Sequence, residues 1–441
     1  MLRGEMIMRK TTVFETTFFM QVCRLVLIPL FLIVCLAGPG MAAEKKAKSG
    51  DKEHLVPLTL KGQEYSIPLY TKDPSINMWK GRRTDLSEGR EPGPINIQRF
   101  PGGFYPAGIP TFFRSPVALV PEDLKAGKID VAMIGAYTDN TIAMRGAAYG
   151  PSMFRAMSEI YGAWGALEQA NVHTMVTIGK DLTIVDYGDA PIEPFNVERS
   201  IHEIRKIIAE IAGVKHENGK HVIPIIIGGD HSLAYPDLAA LADVYGKGNV
   251  GMIHFDAHYD GSYAYGVIGH NGSFTKRLIQ EGHVKGENYI QIGLRGWYPD
   301  EETWKWMREV GIKYHTMGQI EKHGWEAVLE EVFKEVDDGP EYWFISFDMD
   351  AMDPTYAPAV GSPEPNGLTT PVVFRMVRRL CAEKNIVGME MVEYNPLRDP
   401  SWITGQLANR IVKEALVGLA LRKKGITEKD YESEMTKSHG E

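Results

Sequence analysis

Four runs of acidic and imidazole side chains lie along the 441-residue sequence, each directly behind an apolar stretch. Gly228-Gly-Asp-His231-Ser follows Val222–Ile227, and His254-Phe-Asp256-Ala-His258-Tyr-Asp260 closes the stretch that begins at Val250. Asp348-Met-Asp350-Ala-Met-Asp353-Pro follows Tyr342–Phe347, and Glu393-Tyr-Asn-Pro396 follows Val387–Val392. In an extended segment alternate residues share a face. The spacing therefore aims Asp256, His258 and Asp260 one way, and Asp348 and Asp350 repeat the device. Crowded buried carboxylates are costly unless cations neutralise them, and the runs themselves contain no Arg or Lys. Oxygen-rich ligands with two imidazoles suit hard or borderline divalent ions: Mn²⁺ first, with Ni²⁺, Co²⁺ and Zn²⁺ also accepted. Four Asp and two His exceed what one ion uses. Two ions sharing bridging carboxylates would use them all, and such a pair can hold and activate one water.

The elements that must position these runs read as alternating strands and helices. Val131–Gly135, Leu182–Val185, Val222–Ile227, Val250–His254, Tyr289–Ile292, Tyr342–Phe347 and Val387–Val392 read as strands. Helical patterns run from Ser152 to about Gln169, Val197–Ala212, Ser232 to about Tyr245, and Ile403–Leu421, the last read as amphipathic. Repeated strand–helix–strand order implies a parallel sheet. The expected fold class is α/β, a three-layer αβα arrangement with helices on both faces of that sheet, plus a loop-rich N-terminal arm. In such sheets ligands bind at the carboxyl ends of the strands, where all four runs fall.

The runs GGDHS, HFDAHYD, SFDMDAMDP and VEYNP resemble, in order, the motifs of the ureohydrolase family: arginase, agmatinase, guanidinobutyrase and relatives. Met144-Arg-Gly-Ala-Ala-Tyr-Gly150-Pro151 is similar to that family's turn before its first helix, and Tyr105-Pro-Ala-Gly-Ile-Pro-Thr-Phe-Phe113 to the leader of its agmatinase-like members. The resemblance spans about residues 100–425. It implies His231, Asp256, Asp260 and Asp348 about one metal ion, and Asp256, His258, Asp348 and Asp350 about the other, with Asp256 and Asp348 bridging. It implies Glu393 as the guanidinium-binding carboxylate, Asp260 as the residue orienting the attacking water, and His270, in Gly269-His-Asn-Gly-Ser273, as the proton-relaying histidine. The implied reaction is hydrolysis of a guanidino compound to urea and an amine. Agmatine is the first substrate, with guanidinobutyrate, free guanidine or arginine as alternatives, and Gly261–Tyr265 with Tyr105–Phe113 are expected to line the pocket. A zinc deacetylase of the same fold needs fewer ligands, and a non-catalytic binding protein should have lost one, whereas none is missing. The resemblance also implies a homo-oligomer, trimeric or hexameric.

Composition bounds the rest. The 57 acidic against 48 basic residues give a net charge of −9, with no basic run, which excludes an electrostatic nucleic-acid binder. Three cysteines, Cys23, Cys35 and Cys381, exclude a disulfide scaffold. Arg3, Arg9, Lys10 and Arg24 precede the apolar run Leu25–Gly38, which contains Pro29 and is shorter than the roughly 20 residues a bilayer span needs. With small residues at Gly40 and Ala42, residues 1–42 read as a signal peptide. The protein is then expected to be exported, periplasmic or secreted, with no membrane association after cleavage; the alternative is an N-terminal anchor. Residues 43–125 read as leader and loop-rich arm, 126–425 as the catalytic domain, and 426–441 as a tail.

Overall fold

The computed structural model describes residues 55–60, 63–68, 90–98, 108–158, 167–261, 272–297 and 299–438. Contacts divide the chain into Met1–Pro57 with Ser66–Leu69, and Leu58–Tyr65 with Tyr70–Glu441. Within the segment read as loop-rich, β1 (Leu55–Leu60) and β2 (Gln63–Pro68) form a two-stranded sheet.

The larger unit is built on β3 (Val131–Ala136), β4 (Ile184–Asp189), β5 (Ile223–Gly228), β6 (Val250–Phe255), β7 (Tyr289–Ile292), β8 (Lys313–His315), β9 (Tyr342–Asp348) and β10 (Ile386–Val392). They lie in the order β4-β3-β5-β10-β9-β6-β7-β8, and every pair is parallel. Near-continuous burial explains the apolar runs: a parallel sheet covered on both faces needs no polar alternation. All residues of β3, β6 and β10 are buried.

Chain order and spatial order part company in the middle. β5, β10, β9 and β6 are far apart in sequence yet adjacent in the sheet. Their carboxyl ends also stand level, with Met391 opposite Ile227, Val392 opposite Asp348, and Phe255 opposite Phe347. The four chemical runs thus emerge side by side.

The expected helices are present as Gly150–Ser158, Val197–Gly213, Ala234–Tyr245 and Ile403–Lys423. The first ends at Ser158 in the structure, and residues 159–166 lie outside those described. Helices Glu301–Val310, Met317–His323, Trp325–Asp337 and Thr370–Glu383 complete the layers. The final helix is not amphipathic. It buries Thr404, Leu407, Ile411, Glu414, Leu416 and Leu419, which point in all directions around its axis. Such a helix is a core element. Its buried Glu414 is held by Arg378 at 2.7 Å and Arg410 at 2.8 Å.

Candidate functional site

Each functional side chain is placed by a strand end followed by a tight turn. β5 ends at Gly228, and Asp230 then turns the chain by accepting hydrogen bonds from Thr138 Oγ1 at 2.9 Å, Ser232 Oγ at 2.5 Å and the Asn140 N–H. Gly229 is required because a Cβ there would meet the Thr138 carbonyl oxygen at 1.9 Å. The turn brings His231 into the interior with no exposed surface.

The extended-chain reading of the two aspartate runs is corrected here. Beyond Phe255 the chain bends, and Asp260 takes a left-handed φ of 43°. Asp348 is the last residue of β9, while Asp350 lies in the helical turn Met349–Ala351. The carboxylates converge because each turn is tied by its own aspartate. Asp256 Oδ1 accepts from the His258 N–H at 2.6 Å, and Asp348 Oδ1 accepts from the Asp350 N–H at 2.7 Å.

The six sequence-predicted ligand residues meet in one cluster. His231 Nδ1 lies 3.0 Å from Asp256 Oδ2, 3.4 Å from Asp260 Oδ2 and 2.9 Å from Asp348 Oδ2. His258 Nδ1 lies 3.0 Å from Asp350 Oδ2 and 3.5 Å from Asp256 Oδ1. Asp256 therefore touches both imidazoles. Two groups of three ligand atoms, each within 4.8 Å of one another, share it: His231, His254 and Asp256, and Asp256, His258 and Asp350.

Glu393 follows β10 with a left-handed φ of 62°, its N–H donating to the Gly229 carbonyl at 2.8 Å. Its Oε1 accepts the His231 N–H at 3.0 Å, so the carboxylate sits beside the cluster. Left-handed backbone at a non-glycine residue costs of order 1–3 kcal/mol, and such strain gathers at functional sites. Two bends meet next to it. Asn395 Nδ2 donates to the carbonyls of Met144 and Arg145, each at 3.0 Å, pinning the Met144–Pro151 turn against the Glu393 loop. His270 lies outside the described residues, as does most of Gly261–Tyr265. Phe112 and Phe113, expected to line the pocket, are instead buried in the core against Phe154.

The site contains residues that the motif reading passed over. His254 Nε2 pairs with Asp256 Oδ2 at 2.8 Å, and its Nδ1 pairs with the Tyr289 hydroxyl at 2.8 Å. His231 Nε2 pairs with Ser346 Oγ at 2.8 Å. His254 carries a legible signal, since it stands two residues before Asp256 at the strand end; Ser346 carries none beyond its place in an apolar run.

The electrostatics show what the cluster demands. Burial raises the Asp348 carboxyl well above its ordinary pKa, and neighbouring Asp350 and Asp256 push it the same way. Burial and Asp256 likewise raise Asp260, and burial with Asp230 pushes Glu393 up to about 8. Burial alone would lower the imidazoles, but the carboxylates outweigh it: His231 is raised well above its usual value and His258 is pushed up to about 12. Protons are thus drawn to where positive charge is lacking. His231 Nδ1, fully buried, has no hydrogen-bond partner although three carboxylates face it. An orphaned imidazole nitrogen amid acceptor oxygens is a ligand set, and the residues fit a pair of divalent ions.

Comparison with known proteins agrees. The Arginase family model matches residues 129–418. The chain is 32% identical over 313 residues to the mitochondrial agmatinase of Gallus gallus, covering 70% of this chain and 86% of the relative. It is 33% identical over 320 residues to the guanidinopropionase of Pseudomonas aeruginosa, covering 71% and 92%. Among solved structures, the proclavaminate amidino hydrolase from Streptomyces clavuligerus superposes with a TM-score of 0.63 at 29% identity, covering 72% of this chain and 98% of that one.

Proposed function

The chain belongs to the arginase family of ureohydrolases and hydrolyses a guanidino compound, and we propose that this compound is agmatine, split to urea and putrescine. His231, Asp256, Asp260 and Asp348 are proposed to hold one divalent ion, and Asp256, His258, Asp348 and Asp350 the other, Mn²⁺ first and Ni²⁺ second. When bound, the ions supply a water of lowered pKa and positive charge where negative charge develops.

The chain's own residues bind and orient. Glu393, its carboxylate anchored on the His231 N–H at 3.0 Å, faces a planar cation that a carboxylate can grip by two parallel hydrogen bonds. Asp260, whose Oδ2 lies 3.4 Å from His231 Nδ1, is proposed to accept a hydrogen bond from the attacking water and so fix its direction. His270 is proposed to return a proton to the departing amine, a role resting on the resemblance alone.

The observation that carries the reading is the placement of Glu393 against His231 at the level ends of β10 and β5. Agmatine is favoured because a dication suits a carboxylate-rich site in a chain of net charge −9. A second reading, a guanidino acid, is favoured by Arg145 and Arg398. Both are exposed beside Met144, and neither forms an ion pair among the described residues. Urea release measured across agmatine, 4-guanidinobutyrate, 3-guanidinopropionate, arginine and guanidine separates the two. Highest kcat/KM on agmatine supports the first reading and on a guanidino acid the second, whereas no urea from any of them overturns both. Export by residues 1–42 is proposed as well; N-terminal sequencing of native protein should begin near Ala43, and an intact Met1 in the cytosolic fraction would contradict it.

A further inference from the structure

The opposite end of the same sheet holds a cavity of about 630 Å³. It opens where β3, β5, β9 and β10 begin, at Val131, Ile223, Tyr342 and Ile386. A seven-residue strand spans about 23 Å at roughly 3.3 Å per residue, so this cavity is separate from the carboxylate cluster.

Its walls have the reverse character. Four cations, Lys215, Lys220, Arg422 and Lys423, line it against two carboxylates, Asp130 and Glu341. Asp130 is already neutralised by Lys423 at 2.6 Å. Lys215, Lys220 and Arg422 form no ion pair among the described residues, in a chain whose net charge is −9. The two lysines are presented together by a tight hairpin in which Lys215 pairs with His221 and the Lys220 carbonyl accepts the His216 N–H at 2.9 Å. Arg422 donates through Nη1 to the Lys384 carbonyl and through Nη2 to the Ile386 carbonyl at 2.7 Å. Those two bonds fix its plane and leave further N–H groups of its five for a ligand. Burial lowers its pKa, the mark of a desolvated cation that no neighbouring anion offsets.

One wall is aromatic. His221 and Tyr245 have ring centroids 5.2 Å apart with planes tilted by 48°, and Tyr245 and Tyr342 4.5 Å apart tilted by 36°, making a stepped ladder of three rings along the cavity. Flat rings beside unpaired cations recognise a molecule with a planar face and several negative charges. The volume fits one such molecule of mononucleotide size within the usual range of about 300–1,000 Å³ for small-ligand sites.

We propose that this cavity, bounded by the Lys215–His221 hairpin, Tyr245, Tyr342 and Arg422, is a second ligand site for a planar heteroaromatic anion of the nucleoside diphosphate class. The ring would extend the His221–Tyr245–Tyr342 ladder, and the phosphates would meet Lys215, Lys220 and Arg422.

The test is calorimetric titration of the metal-loaded full chain with ADP, adenosine and inorganic pyrophosphate, on wild type and on the double variant K215E/K220E. The expected order of affinity is ADP over pyrophosphate over adenosine, since only ADP uses both walls. Charge reversal of two exposed lysines should weaken ADP by at least about tenfold while urea release stays unchanged. Three results would overturn the site: no heat from ADP at millimolar concentration, adenosine binding as tightly as ADP, or undiminished ADP binding by K215E/K220E.

Discussion

Two groups of carboxylates in this protein meet opposite fates. Asp186 and Asp189, on β4, face Arg155, whose Nε lies 2.7 Å from Asp186 and whose Nη1 lies 2.8 Å from Asp189. Arg155 also lies 3.9 Å over the Phe112 ring, and Asp186 accepts the Phe112 N–H at 3.0 Å, so the pair clamps the preceding segment onto the sheet. There the chain supplies its own cation. At the ends of β5, β6 and β9, no Lys or Arg among the described residues lies within ion-pair distance of Asp256, Asp260, Asp348 or Asp350. The Arg295 guanidinium donates instead to backbone carbonyls, including that of Asp350 at 2.6 Å. The contrast teaches that a buried carboxylate is read by its cation. In the first group an internal arginine makes the carboxylates part of the architecture, whereas the second, with no such cation, is suited to ions taken from solution.

The comparison can be broken most forcefully at Asp256, the residue that touches both imidazoles. Asp256→Ala should lower the steady-state rate of urea release by at least about a thousandfold, because both ion positions lose a ligand. Wild-type turnover in this variant would make the cluster architectural too. At the other group, Arg155→Leu leaves Asp186 uncompensated and should cost about 3–5 kcal/mol of stability in denaturant unfolding. Its metal content should remain that of the wild type. An unchanged unfolding midpoint would mean that the internal cation does not carry the clamp.

These two groups were not equally legible. The ligand residues were readable because they stand in short runs behind apolar strands, and Asp and His at strand ends have few structural uses. Their convergence was not, because it depends on β5, β10, β9 and β6 lying side by side, which no local pattern states. The alternation argument reached the right partners by the wrong geometry: Asp260 arrives through a left-handed turn and Asp350 through a helical one. Arg155 and Asp186 sit 31 residues apart, so their pairing exists only in the fold. The final helix reads as amphipathic in sequence, yet it buries residues all round its axis, Glu414 among them, which is paired with Arg378 of the neighbouring helix and with Arg410 one turn earlier on its own. Helix Thr370–Glu383 carries Val372, Val373, Met376, Val377 and Leu380 at helical spacing and was legible by that rule, although the sequence reading does not place it.

Smaller changes sharpen the division of roles inside the site. Glu393→Gln keeps the size and removes the charge. Losing charged hydrogen bonds of about 1.5–3 kcal/mol should lower kcat/KM at least about tenfold, with metal content unchanged. Metal loss in that variant would move Glu393 into the coordinating set. Ser346→Ala removes the partner of His231 Nε2 at 2.8 Å, and loss of such an orienting contact should weaken metal affinity about 10–100-fold in a competitive chelator titration. Unaltered affinity would show that the imidazole is held by its carboxylates alone.

The central claim is that six residues on three central strand ends hold two ions. Anomalous diffraction from crystals grown with Mn²⁺ tests it most directly. The account predicts two manganese peaks per chain sharing Asp256, one against His231 and Asp260, the other against His258 and Asp350. A single peak, or strong peaks only outside this cluster, would contradict it.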